Sequence, residues 1–308
     1  MRRKDQARYH FPMRNFRGLA VSVLLVAARA SAMGQGVRAA SAPPPASEAG
    51  APLWQGENRG VLLRVFASDV TLTRAGSAAP FFSYRSFHDV TFRRDLSGAR
   101  GDGPATEVAG CTRRVVASPV AWAGPYLTFR ETVETSCPRE AHPAGESRFR
   151  TFVVAAQEAN ATARPMSAQD ATAWLDERSL FGALSKDPLV KRATTDASPP
   201  PRSLDALVSV LAEAAPVVVE GQSCYAFPDD LLTRLVPDHL EKDKLALRVA
   251  LPGTAVCRDR LTELGILVPV SRSSSGPLRD AATARAGFLR RNAPPGIKAH
   301  PVQFDLRP

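Results

Sequence analysis

Four cysteines, Cys111, Cys137, Cys224 and Cys257, limit what this chain can fold into more than any other feature. They form two local pairs, and each pair flanks segments that read as antiparallel strands. Four cysteines allow three connectivities. Locality favours Cys111–Cys137 and Cys224–Cys257, each contributing roughly 3–4 kcal/mol by restricting the unfolded chain. No C-x-x-C pair is present, so a four-cysteine metal site is not expected.

Disulfides need an oxidising compartment, and the N-terminal segment points to one. Residues 1–17 carry Arg2, Arg3, Lys4, Arg8, Arg14 and Arg17 against Asp5 alone. The apolar run Leu19–Ala28 follows, then Ala30-Ser31-Ala32. A basic region, a short apolar core and a small-x-small site make up a secretory signal. The run falls short of the roughly 20 residues a membrane span needs. Residues 1–32 are therefore expected to be a cleaved signal that leaves no stable membrane anchor, with a periplasmic or secreted product. That segment contributes +6 of the formal net charge of +10, which leaves +4 on the remainder. A dispersed excess of that size favours solubility; a nucleic-acid partner would call for a concentrated basic face.

Residues 33–53 are rich in Ala, Pro, Ser and Gly, including Pro43-Pro44-Pro45, and read as a disordered spacer. Pattern begins at residue 54. Val61–Arg74 alternates as a strand or hairpin, Phe81–Phe92 reads as strand, and Glu107–Val120 as another. The clearest strand is Tyr126–Ser136, with Leu127, Phe129 and Val133 on one face and Thr128, Arg130, Thr132 and Glu134 on the other. Glu131 interrupts the apolar face, either at a rim or as a paired buried carboxylate. Arg148–Ala156 is its antiparallel partner across a Pro- and Gly-containing loop. Ser167-Ala-Gln-Asp170 forms a capping box ahead of a helical run to Lys186, and Ser203 caps a second helix. Strands follow at Pro216–Glu220, Cys224–Phe227, Leu245–Leu251 and Leu264–Val270, with a helical turn over Asp229–Val236. The expected domain, 54–270, is α+β: a mainly antiparallel sheet packed with two or three helices and stapled by disulfides. Residues 271–308 read as a tail with a short helix.

One succession of residues is similar to a known family. Tyr126-Leu-Thr-Phe-Arg-Glu-Thr, then Glu140-Ala-His-Pro143, an apolar strand and Leu180-Phe181 resemble the extracellular domain shared by lysozyme-sensing anti-sigma factors and the non-catalytic part of some peptidoglycan deacetylases. Tyr225-Ala-Phe-Pro-Asp-Asp-Leu-Leu and Leu247-Arg-Val-Ala-Leu-Pro-Gly are similar to that family's closing strands. Arg139-Glu140 stand where the family has two glycines, and Ser179 stands where it has Asp. The resemblance implies a fold over Val61–Val270 and a role in binding an envelope ligand.

The only compact acid–imidazole group in the sequence is Glu140 and His142 near Glu131 and Glu134. General acid–base work would need such a carboxylate-oriented imidazole, but no G-x-S-x-G or H-E-x-x-H accompanies it. A turn histidine held by a structural hydrogen bond is the simpler reading. His88, His239 and His300 are scattered. Arg100-Gly101-Asp102 is ordinary turn chemistry, and Asn160-Ala-Thr162 fits a glycosylation sequon. Phe81, Phe82, Tyr84, Phe87 and Phe92 form either a glycan-stacking face or, as strand aromatics usually do, core. No cofactor and no metal is expected. The leading expectation is a non-catalytic domain binding a cell-envelope protein or polysaccharide. The alternatives are a hydrolase of an envelope polymer using Glu131, Glu134 or His142, and a structural envelope protein.

Overall fold

A computed structural model describes residues 50–99, 110–138, 143–156, 161–219, 221–254, 257 and 261–308. The expected signal and nearly all of the spacer lie outside them, as do Arg100-Gly101-Asp102, Glu140, His142 and Asn160. All described residues belong to one unit, Pro44–Pro308.

The chain opens with a meander of β1 (Trp54–Asn58), β2 (Val61–Val65), β3 (Val70–Arg74) and β4 (Pro80–Ser83), paired in that order. Arg59 and Gly60, both at positive φ, turn β1 into β2, the two-residue pattern that matches strand twist. Helix α1 (Tyr84–Ala99) follows directly. Three long strands come next, β5 (Thr112–Ala123), β6 (Tyr126–Ser136) and β7 (Ala144–Ala155), and then β8 (Thr162–Pro165). Four helices succeed them: α2 (Ala168–Leu175), α3 (Glu177–Leu184), α4 (Pro188–Ala193) and α5 (Leu204–Glu213). The chain returns through β9 (Val217–Val219), β10 (Gln222–Tyr225), β11 (Leu235–Glu241), β12 (Lys244–Pro252) and β13 (Leu261–Pro269). It closes with α6 (Arg272–Ala282), α7 (Pro295–Ala299) and β14 (Val302–Leu306).

The central layer is the antiparallel sheet β14-β5-β6-β7-β8. On one face its Val115, Leu127, Phe129 and Phe152 share a core with the meander and α1, through Leu63, Leu72, Phe82, Tyr84 and Phe92. On the other face Ala121 and Phe149 meet Val236 and Ala250 of the β11-β12-β13 sheet. The far side of that sheet buries Leu247, Val249 and Ile266 against Leu180, Leu184, Leu207 and Leu211 of the helices. The fold is α+β with a mainly antiparallel framework, and it has seven α-helices among the described residues where two or three were expected. Both cysteine pairs are disulfides as expected from locality, Cys111–Cys137 and Cys224–Cys257. The first has a simple cause: Thr112 faces Ser136 in the β5–β6 ladder, so the flanking cysteines meet at the open end of that hairpin.

The caps read from the sequence are present. Ser167 accepts from the Asp170 amide and the Asp170 carboxylate accepts from the Ser167 amide at 2.8 Å, while Ser203 accepts from the Ala206 amide at 3.2 Å.

Two expectations are corrected. The stretch Phe81–Phe92 is strand only to Ser83; beyond it Tyr84, His88 and Phe92 are buried at a spacing of four, which is a helix face. The aromatic content suggested a strand. The helix start is fixed by Ser83, whose hydroxyl accepts from the Ser86 amide. It is fixed also from a distance by buried Asp69, which accepts from the Arg85 amide at 2.9 Å and from the Ser83 hydroxyl at 2.7 Å. Residues 271–308 are not a tail outside the domain. Val302, Phe304 and Leu306 alternate into the core as the edge strand β14 on β5, and Phe288 exchanges both backbone hydrogen bonds with Trp122 at 2.7 and 2.8 Å. The Pro- and Arg-rich composition of this region hides three alternating apolar residues.

Candidate functional site

The sequence marked Glu131 as the one charge on an apolar strand face, and of its two expected settings the structure adopts the paired, buried one. Its side chain has no solvent exposure. An ionised carboxylate offers about four lone-pair sites, and here four donors fill them. Oε1 accepts from Nε of Arg148 at 2.6 Å and Nε of Arg150 at 2.7 Å. Oε2 accepts from the Tyr84 hydroxyl and from Nε2 of His88 at 3.1 Å. Because the carboxylate can only accept, His88 presents its Nε2 proton.

Each partner arrives by a definite route. The β6–β7 register sets Arg148 opposite Glu131 and Arg150 opposite Phe129, and alternate residues of a strand share a face. Both guanidiniums therefore converge on one oxygen. Helix α1 supplies Tyr84 and His88 one turn apart. Tyr84 stacks on Phe129 with centroids 4.2 Å apart, which fixes its hydroxyl over the carboxylate.

The electrostatics follow. Burial pushes the Glu131 carboxyl up, but the His88 hydrogen bond, the Arg148 charge and the Tyr84 hydrogen bond outweigh it and hold the group below its ordinary 4.5. Burial and the neighbouring Glu131 charge drive the Tyr84 phenol well above 10. For Arg148, burial opposes the charge, yet Glu131 and Glu146 keep it firmly cationic. The network runs on from Arg148 Nη1 to Glu146 at 2.9 Å, from Glu146 to Arg234, and from Arg234 Nε to Asp230 at 2.5 Å.

Above this cluster lies a groove of about 300 Å³ between α1 and the ends of β5–β7. His88, Asp95, Arg113, Arg148 and Arg150 are among its lining residues. Arg113 donates from Nε to Thr135 and from Nη2 to Asp95, and packs over Phe92 at 4.7 Å. Arg150 lies over Phe87 at 5.3 Å.

Of the expected site residues, Glu134 is exposed on the opposite face of β6 from Glu131. The two carboxylates therefore do not form an acid–base pair. Glu140 and His142 lie outside the described residues. The aromatics Phe82, Tyr84 and Phe92 are buried, and Phe81 and Phe87 pack on the same core, so they are not a glycan-stacking face. Sequence reading missed His88, Tyr84, Arg148 and Arg150 as a group. The available signal was the pattern Arg148-Phe-Arg150: pairing that strand with Tyr126–Ser136 puts two cations beside the intruding acid.

Among the described residues no group of three or more His, Cys, Asp or Glu side chains could hold a metal ion, and no helix is long and apolar enough to cross a membrane. No protein-family model, curated protein or solved structure matches the chain.

Proposed function

We propose that the chain is exported and that its α+β domain is a non-catalytic module binding a cell-envelope protein or polysaccharide through the groove between α1 and strands β5–β7. The observation that carries this reading is the saturation of Glu131: with all four lone pairs occupied and its acidity increased, the carboxylate has neither the free lone pair nor the raised pKa of a general base. It works as a fixed anchor that orients the side chains of the groove floor. The two disulfides, the basic-apolar-small order of residues 1–32 and the resemblance to the lysozyme-sensing extracellular domain support export and an envelope ligand.

Capture experiments test it. The purified chain, immobilised, should retain a component of envelope extracts or lysozyme, and a groove-wall variant such as Thr91→Trp should retain less. Equal retention by the variant, or none by the parent chain, counts against the reading.

A further inference from the structure

The arginines of the groove are tied down by one end and left open at the other. Arg150 spends only Nε, on Glu131; neither Nη1 nor Nη2 has an acceptor among the described residues. Arg148 uses Nε and Nη1 and leaves Nη2. Arg113 uses Nε and Nη2 and leaves Nη1. These side chains are 19, 22 and 12 % exposed, so each is largely withdrawn from water. Among the described residues no buried side-chain nitrogen or oxygen lacks a hydrogen-bond partner, so these outer nitrogens reach the solvent of the groove and are available to a ligand. The planar guanidinium fork also matches carboxylate and phosphate oxygens with two parallel hydrogen bonds. Glu131 gives half its acceptors to two guanidiniums at once, which fixes their positions, and Arg148 is paired with Glu146 as well, so Arg150 is the guanidinium with both outer nitrogens open.

We infer that this groove is an oxyanion site: building on the binding reading above, the envelope ligand presents a phosphate or carboxylate to the free end of Arg150, flanked by Arg148 Nη2 and Arg113 Nη1. The buried carboxylate acts as the positioning group. It holds the guanidiniums in place before the ligand arrives, so little side-chain entropy is lost on binding. Phosphate and carboxylate share this chemistry and are separated by the test.

The full purified chain is titrated with inorganic phosphate at constant ionic strength, with chloride as the compensating ion, and the arginine Nε–H signals are followed by NMR. Saturable shifts with a Kd at or below about 1 mM support the site, and linear shifts equal to those from chloride overturn it. Arg150→Gln should weaken binding by about tenfold or more, whereas Arg248→Gln, which lines the hollow beside Asp238 and not this groove, should not. Should Arg150→Gln fail to fold, Arg113→Gln serves instead, since the side-chain hydrogen bonds of Arg113 go to Thr135 and Asp95 and not to Glu131; unchanged affinity in the folded variant overturns the proposal. A parallel titration with glucuronate assigns the natural group: tighter glucuronate binding identifies a carboxylate-bearing ligand and tighter phosphate binding a phosphate-bearing one. The two readings fail separately. Envelope capture that survives both Arg150→Gln and excess phosphate sinks the oxyanion site and leaves the binding role. Phosphate binding without any envelope capture does the reverse.

Discussion

The molecule holds two arginine–carboxylate clusters built from similar parts, and they behave differently. At Glu131 the acid is fully buried and its guanidinium partners sit at 2.6 and 2.7 Å. At Asp238, on β11, the arginine ion pairs are at 3.7 Å to Arg248 and 3.8 Å to Arg290, with His239 Nδ1 at 2.9 Å. That second cluster borders an open hollow of about 490 Å³. Arg248 is 39 % exposed and, among the described residues, meets Asp238 only at 3.7 Å, beyond hydrogen-bond distance. Arg290 gives both Nη groups to Glu263 at 2.5 and 3.0 Å, so its fork is already occupied. Charge content alone therefore does not mark a binding site. In the first cluster both arginines are positioned by Nε, Arg150 keeping both outer nitrogens and Arg148 one; in the second, one arginine is spent and the other is unfixed.

Removing the buried acid should produce the largest effect. Glu131→Ala leaves Arg148 and Arg150 beside each other without their shared counter-ion, a loss of about 3–5 kcal/mol by analogy with broken buried pairs. Denaturant unfolding should show the midpoint falling with little change in slope. The pH dependence gives a second reading. Because the folded-state pKa of Glu131 is depressed, its stabilisation is fully present above the ordinary 4.5 and is lost as pH falls through the folded value. The parent chain should therefore lose stability more steeply below about pH 4.5 than Glu131→Gln does. Parallel acid curves would place the charge network outside the folding energetics.

Next comes the segment that delivers Arg290. Gly287 sits at φ +77°, and a Cβ there would lie 2.0 Å from the Trp122 carbonyl oxygen. Backbone strain costs of order 1–3 kcal/mol, and the neighbouring atom is backbone that cannot move aside. Gly287→Ala should therefore cost about 3 kcal/mol and loosen Arg290 from Glu263 without disturbing the Glu131 cluster. Phosphate affinity that survives this substitution would show that the two clusters are independent.

These comparisons also show which parts of the fold the sequence encodes legibly. Local signals were readable: the Ser167 and Ser203 caps, the Tyr126–Ser136 strand, the cysteine pairing and the anomaly of Glu131 all lie within a short window of chain. What was not readable depended on distance. Asp69 caps α1 from sixteen residues before Arg85, and β14 pairs with β5 across most of the domain. His88 and Tyr84 reach Glu131 only once α1 packs on the sheet. A helix whose apolar face is aromatic imitates a strand until its tertiary neighbours are known.

Smaller effects are expected at the open cluster. Asp238→Asn keeps a side-chain oxygen beside His239 and removes the charge from two long ion pairs to partly exposed arginines, and pairs with a solvent-exposed partner contribute about 0–1 kcal/mol. Its cost should shrink further in 1 M salt, where charges are screened within about 3 Å, whereas the Glu131→Ala cost should persist because that pair is shielded from solvent.

The smallest change is the most discriminating. A Cβ added at Gly265, on β13 opposite Arg248, would come within 2.8 Å of Arg248 Nη1. That atom is the far end of a flexible, partly exposed side chain, so Arg248 can swing away from Asp238 at little cost. Gly265→Ala should change stability by less than about 0.5 kcal/mol. A drop of 2 kcal/mol or more, measured by the same denaturant titration, would mean that Arg248 is held as firmly as Arg148. The contrast between a fixed and an unfixed arginine cluster would then dissolve, and with it the reason for placing the oxyanion at Arg150 in preference to the hollow beside Asp238.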